Sequence, residues 1–201
     1  MESRPSGSKS PVGRGKKVRD AVLAATRREL REAGYAALSV ENVARRAGVH
    51  KTTVYRRWND RESLIVDAVS EEIGEDIPIP DTGALESDLR SLARAFVRWA
   101  TSDTGRAVLA TLLSDAVRIP EIAEANSRMF QDRLRRARPV VERAAERGEI
   151  PPGTVPGEVI RMLVAPLYLR LLVTGEPVDE PVADRAASVA WRAAAAGWLN
   201  G

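Results

Sequence analysis

Apolar positions recur every three to four residues along most of the chain and nowhere alternate over a useful length, so the pattern predicts helices throughout. A first helix runs from about Lys17 to Ala33, with Val18, Val22, Ala25, Thr26 and Leu30 on one face, and Gly34 ends it. Val40 to Ala47 is a short amphipathic helix with Val43, Ala44 and Ala47 inward. Ser39 is placed to cap its free N–H groups, and Glu41 suits the positive end of its dipole. Gly48 follows where a chain leaving a helix turns left-handed, the conformation that costs glycine least. Val49 plugs the corner, and a further helix runs from about Lys51 to Arg57 with Val54 inward. Asn59 then caps a fourth helix, Asp60 to Glu75, with Glu62 three residues on as in a capping box and Leu64, Ile65, Ala68, Val69 and Ile73 buried.

Residues 77–83, IPIPDTG, break this run. Beyond them lie amphipathic segments over about residues 84–101, 105–117, 120–147, 156–174 and 181–199. Prolines at the starts of the last three suit first-turn positions, whereas Pro139 and Pro166 should kink or split their helices. Residues 155–173 have almost no polar face, and a helix apolar all round must be covered on both sides. One side can pack on its own domain and the other needs a partner. Ala186, Ala187, Ala190, Ala193, Ala194 and Gly197 offer a flat surface beside them, with Trp191 and Trp198 as anchors. Together the two segments suggest a four-helix interface in a homodimer; a deeply buried helix in a monomer is the other reading.

Charge sharpens the division. The net charge is +3, yet residues 1–70 hold 15 Lys and Arg against 8 Asp and Glu, and residues 71–201 hold 16 against 20. All four lysines (Lys9, Lys16, Lys17, Lys51) fall in the first part. A basic head on an acidic body suits a protein that docks electrostatically on DNA and has a second task elsewhere. Residues 1–16, rich in Ser, Gly, Pro and basic residues, have too little to bury and read as a disordered arm. Arg4, Lys9, Arg14, Lys16 and Lys17 either track DNA phosphates or form an inert solvated tail.

On the helix after the corner, Lys51, Thr52, Thr53, Tyr55, Arg56 and Arg57 stay outside. They are cations and hydroxyls with no acid among them, a face for phosphate oxygens and guanine edges. The small Ala44 lets the two helices cross closely, as a helix-turn-helix requires. Gly34-Tyr35, Val43-Ala44, Gly48-Val49, Thr53-Val54-Tyr55 with Trp58, and Arg61-Glu62 with Leu64 form an ordered set that resembles the N-terminal domain of the TetR/AcrR family of transcriptional regulators. Residues 165–177 resemble the C-terminal domain of one large actinobacterial-type subgroup.

The resemblance implies an all-α fold: a three-helix helix-turn-helix DNA-binding domain (residues 17–59) followed by a helical ligand-binding and dimerisation domain (residues 60–201). It implies a homodimer on a double-stranded DNA operator, most simply a repressor released by a small-molecule effector. Lys51, Thr52 and Arg56 are assigned to base edges, and Ser39, Thr53, Tyr55, Arg57 and Arg61 to phosphates. Phe96, Trp99, Leu112, Met129, Phe130 and Tyr168 are candidate lining for the effector that the resemblance implies; aromatic and methionine side chains at helical spacing are more often plain core.

Other chemistry is not encoded. The chain has no cysteine and one histidine, His50, so no metal site or cofactor is expected, and His50 caps the recognition helix or touches a phosphate. No nucleophile elbow, HExxH or dinucleotide fingerprint is present, and runs such as Arg133-Leu-Arg-Arg read as solvated helix surface, so an enzyme is not expected. The longest apolar run is far short of the ~20 residues of a membrane span, and there is no signal peptide, so a cytoplasmic protein is expected. A ligand-independent DNA-binding or architectural protein would share the head but have a closed body.

Overall fold

A computed structural model of the chain describes residues 11–103, 105–106, 108–109 and 120–201, without the side chains of residues 11–14, 36, 121, 122 and 125. It divides into two compact units, Met1–Ala68 and Val69–Gly201. Among the described residues the only regular structure besides helix is a lone antiparallel bridge between Thr154 and Asn200.

The first unit contains α1 (Pro11–Ala37), α2 (Val40–Ala47), α3 (Lys51–Tyr55) and the start of α4 (Arg61–Asp76), which continues into the second unit. Helix α1 begins inside the segment expected to be an arm, at a proline that has no N–H to leave unpaired in the first turn. Its helical geometry breaks at Gly34 (φ 76°, ψ 173°). Val22, Leu23, Ala25 and Thr26 face inward, with the Thr26 hydroxyl donating to the Val22 carbonyl (2.8 Å). Leu23 rather than Leu30 supplies the large side chain of that face, Leu30 being only partly covered. Leu38, Val43, Val54, Trp58, Leu64 and Ile65 complete the core around it.

The corner between α2 and α3 forms as its residues dictate. Ser39 Oγ accepts the Asn42 N–H (3.1 Å) at the start of α2, and Gly48 ends it at φ 66°, ψ 34°. The Val49 N–H donates back to the Ala44 carbonyl (3.0 Å), closing the turn. At α4 the cap is Asp60, not Asn59: its Oδ1 accepts the Ser63 N–H (2.6 Å). Glu62 is drawn away from a capping role by Tyr35 and Arg61.

The second unit holds the end of α4 and α5 (Leu85–Thr101), α6 (Pro120–Glu146), α7 (Pro156–Leu169) with a π-helical turn at Arg170–Thr174, and α8 (Glu180–Ala195). Of the expected 105–117 helix, residues 105, 106, 108 and 109 are helical and the rest lies outside the described residues. Ala84, at the N-cap of α5, offers no side-chain cap; the Leu85 N–H donates instead to Glu149 Oε2 (2.7 Å). Burial alone would push the Glu149 carboxyl up, but that N–H and Arg147 together hold it below the usual carboxylate range. Pro139 sits inside an unsplit α6. Pro166, which cannot donate to the preceding turn, is followed by the wider π-helical turn.

Two expectations about α7 and α8 separate here. Val159, Ile160, Leu163 and Leu167 of α7 are buried, whereas Met162, Ala165, Leu169, Leu172 and Val173 form an exposed row three to four residues apart. The alanine row of α8 is not an outer surface. Ala186, Ala187, Ala190, Ala193 and Ala194 are buried within the subunit as α8 packs on α5 and α7, small side chains permitting the close approach. What α8 leaves outside is Glu180, Pro181, Arg185, Val189, Arg192 and Ala195, and Trp198 just beyond it is 80% exposed. Arg94 of α5 grips Asp184 of α8 with Nε and Nη2 (2.7 and 2.6 Å).

Candidate functional site

Helix α3 projects a short polar face from a buried anchor. Val54 (1% exposed) and Trp58 (4%) fix it to the core, and the Trp58 indole Nε1 donates to Asp67 Oδ2 of α4 (2.9 Å). Around them Lys51, Thr52, Tyr55, Arg56 and Arg57 are exposed and Thr53 is partly covered. The Lys51 side chain is 63% exposed, with Nζ 3.7 Å from the Glu41 carboxylate. The Arg57 guanidinium lies 5.8 Å from the centre of the Trp58 ring, within cation–π range. Seven of the eight residues assigned to DNA thus lie on or beside α2 and α3 with side chains at least partly open. Ser39 is already used as an acceptor, which leaves its O–H free to donate to an anion. His50 precedes α3 but makes no side-chain capping bond.

Arg61 differs from the rest. Its Nε donates to Glu62 Oε1 (3.0 Å), its Nη1 reaches the Tyr35 and Leu38 carbonyls (3.3 and 3.4 Å), and its guanidinium lies 4.6 Å from the centre of the Tyr35 ring. It therefore ties the end of α1 to the start of α4. Tyr35 in turn donates to Glu62 Oε1 (3.3 Å), and burial, reinforced by the Glu62 charge, pushes its phenol up.

A clamp between α1 and α2 escaped the reading of the sequence. Glu29 is only 2% exposed; its Oε1 accepts from Asn42 Nδ2 (2.8 Å), and its Oε2 lies 2.6 Å from Arg46 Nε. Arg46 also pairs with Glu32, and hydrogen bonds from Arg28 and Arg46 hold that carboxyl below its ordinary value. A carboxylate on the same face as Val22, Ala25 and Thr26 was the available signal.

In the second unit, Phe96, Trp99, Met129, Phe130 and Tyr168 stand around one cavity of about 60 Å³; Leu112, the remaining candidate, lies outside the described residues. Phe96 links Trp99 and Tyr168 at ring separations of 6.0 and 5.1 Å, and Phe130 meets Tyr168 edge-on at 6.4 Å. Ile73 of α4 and Ile77 just after it close another wall. Met129, Phe130 and Tyr168 also border an outer cleft of about 470 Å³.

Arg133 lines the inner cavity and so is not part of a solvated run. It projects from the same face of α6 as Met129, Phe130, Leu134 and Ala137. Among the described residues it has no carboxylate within 4 Å, and Nη2 donates to the Ile77 carbonyl (3.3 Å). Burial, with Arg136 adding to it, pulls its guanidinium below the usual arginine value; burial pushes the Tyr168 phenol up to about 12. The Trp99 indole Nε1 is buried with no hydrogen-bond partner among the described residues. No group of three or more His, Cys, Asp or Glu side chains among the described residues could hold a metal ion. No helix among them is long and apolar enough to cross a membrane.

Comparison with known proteins agrees with this geometry. Residues 22–68 match the family profile "Bacterial regulatory proteins, tetR family", and residues 79–190 match "Tetracyclin repressor-like, C-terminal domain". The chain is 32% identical over 178 residues to the HTH-type transcriptional regulator AqdR of Rhodococcus erythropolis, covering 88% of this chain and 85% of that protein. It is 30% identical over 182 residues to the DNA-binding transcriptional repressor TetR of Mycobacteroides abscessus, covering 87% and 92%. Among solved structures, the TetR family transcription regulator SCO0332 superposes with a TM-score of 0.76 at 30% identity, over 88% of this chain and 97% of that one.

Proposed function

The chain belongs to the TetR family of DNA-binding transcriptional regulators, which are not enzymes, and from that premise we propose that it is a homodimeric, cytoplasmic repressor released from its operator by a small molecule. The observation that carries the reading is α3: a short helix pinned by Val54 and Trp58 whose open side is made of cations and hydroxyls. Lys51, Thr52 and Arg56 read base edges in the major groove. Ser39, Thr53, Tyr55 and Arg57 hold phosphates, and Arg61 does so with whatever its fork keeps beyond Glu62 and the α1 carbonyls.

Family regulators typically act as dimers, and the exposed row Met162, Ala165, Leu169, Leu172 and Val173 supports an interface along α7, flanked by Val189 of α8. A twofold axis gives a near-palindromic operator with half-sites about one turn (~34–36 Å) or slightly more apart. An effector in the second unit favours the state in which α4 no longer holds the heads at that spacing. A coupling of ~1–3 kcal/mol is enough for such control.

Selection of bound fragments from the genome of origin tests this directly. The expected result is an inverted repeat, bound by the native chain and weakened by Lys51→Ala by about 1–3 kcal/mol with relaxed preference at one base pair. Binding without sequence preference would overturn the operator, and equal losses on operator and random DNA would remove Lys51 from base reading.

A further inference from the structure

The inner cavity combines three features that a plain apolar core does not need. The chain is poor in aromatics (4%), yet both of its phenylalanines, one tryptophan and one tyrosine gather at this one place. A guanidinium, Arg133, enters the same wall with no carboxylate opposite, bonded only to a neutral backbone oxygen among the described residues. Third, the Trp99 indole N–H is buried without an acceptor among the described residues. Flat apolar walls favour a flat apolar guest, stacked or edge-on. An unpaired fork of N–H donors favours a planar anion that accepts two parallel bonds, which a carboxylate does and a neutral amide does not.

We propose that the effector of this regulator is a planar aromatic carboxylate, its ring held among Phe96, Phe130 and Tyr168 and its carboxylate paired with Arg133 in place of the Ile77 carbonyl. The proposal rests on the reading of the protein as an effector-controlled regulator and names the ligand's chemical class. The inner cavity of about 60 Å³ is too small for such a ring alone, but the outer cleft of about 470 Å³ shares Met129, Phe130 and Tyr168 with it. Turning a flexible methionine and two rings joins the two spaces. The guanidinium's unfavourable burial, already apparent in its lowered basicity, is relieved when an anion arrives. Arg133 also gives the ligand a route to DNA. Ile77 directly follows α4, so a carboxylate that takes the guanidinium removes a tether from the end of the helix that begins in the DNA-binding unit.

The test uses the full chain without DNA and three probes: 2-naphthoate, its neutral amide 2-naphthamide, and the saturated decalin-2-carboxylate. Binding is followed by tryptophan quenching and calorimetry. We expect naphthoate to bind at least about tenfold more tightly than either analogue. Arg133→Met should bring naphthoate down to the level of the amide and leave the amide unchanged. Arg133→Lys, which keeps the charge but not the fork, should fall between, and it decides the matter if Arg133→Met does not fold. Equal affinities for acid and amide, undiminished naphthoate binding in the folded Arg133 variants, or no binding of naphthoate at millimolar concentration would each overturn the proposal; equal binding of the decalin acid would overturn its aromatic part. Saturating naphthoate should lower affinity for the selected operator several-fold. Tight Arg133-dependent binding with unchanged operator affinity would overturn the proposal, because the acid would then occupy the cavity without acting as the effector. A protein that binds naphthoate but selects no operator would instead defeat the regulator reading.

Discussion

Glu29 offers a sharp test of what holds the DNA-binding unit together. Its carboxylate is 2% exposed, accepts from Asn42 through Oε1 and stands in an ion pair with Arg46 through Oε2, so Glu29→Leu removes one hydrogen bond to a charged group and one ion-pair contact between α1 and α2. A hydrogen bond to a charged group is worth ~1.5–3 kcal/mol. Breaking a fully buried ion pair would cost about 3–5 kcal/mol, but the Arg46 side chain is 33% exposed and keeps Glu32, so it is not stranded. The leucine also recovers some apolar burial. The net expectation is a loss of about 1–3 kcal/mol, read from urea denaturation followed by circular dichroism. Arg46→Met alone should cost less, and the double variant should fall short of the sum by roughly 1 kcal/mol, the coupling of the pair. Additivity within about 0.5 kcal/mol would refute the clamp. Because Asn42 and Arg46 lie on α2, Glu29→Leu should also weaken operator binding beyond what the lost stability explains.

Gly48→Ala should cost about 1–2 kcal/mol, seen as a lower urea midpoint; a Cβ there meets nothing within 4 Å, so the penalty comes only from the left-handed backbone. The Asp184 carboxyl is held below its ordinary value by hydrogen bonds from Arg94, so the fork stabilises the fold above the unfolded carboxylate's pKa and loses that contribution as pH falls through the folded value. Asp184→Asn should therefore lower stability at pH 7, change little in strong acid, and flatten the acid limb of a melting-temperature profile below about pH 4. Leu169→Glu, at a position 54% exposed, should leave the subunit folded and shift sedimentation from dimer to monomer, with operator affinity falling alongside. A dimer that persists would move the interface away from α7.

The parts legible in the sequence were those fixed over a few residues. The Ser39 cap, the left-handed Gly48 and the inward Val54 each follow from a local geometric need, so the corner and α3 came out at nearly the right residues. Pairings between distant segments left weaker marks. Nothing in the local sequence links Glu29 to Arg46 until α1 and α2 are brought together. Arg61 carries the family's basic position, but only the fold reveals that Tyr35 and Glu62 already hold it. The α8 alanines identify a face made for close approach without saying what approaches, and the neighbour is α5 and α7 of the same subunit. Arg133 sat in an arginine run, and its spacing from Met129, Phe130 and Ala137 was the clue that it points inward.

The lysines close the picture in an unexpected, practical way. Lys16, Lys17 and Lys51 are open to solvent on α1 and α3, and none occurs after Lys51. Apart from any terminal amine, an acylating reagent can therefore mark only the DNA-binding unit. Operator-bound protein should be shielded at Lys51 against such labelling, giving a footprint with no background from the second unit. The same chemistry warns against tethering the protein to a surface through its amines, since every lysine lies in the DNA-binding unit and attachment at Lys51 would occupy the face meant for the groove.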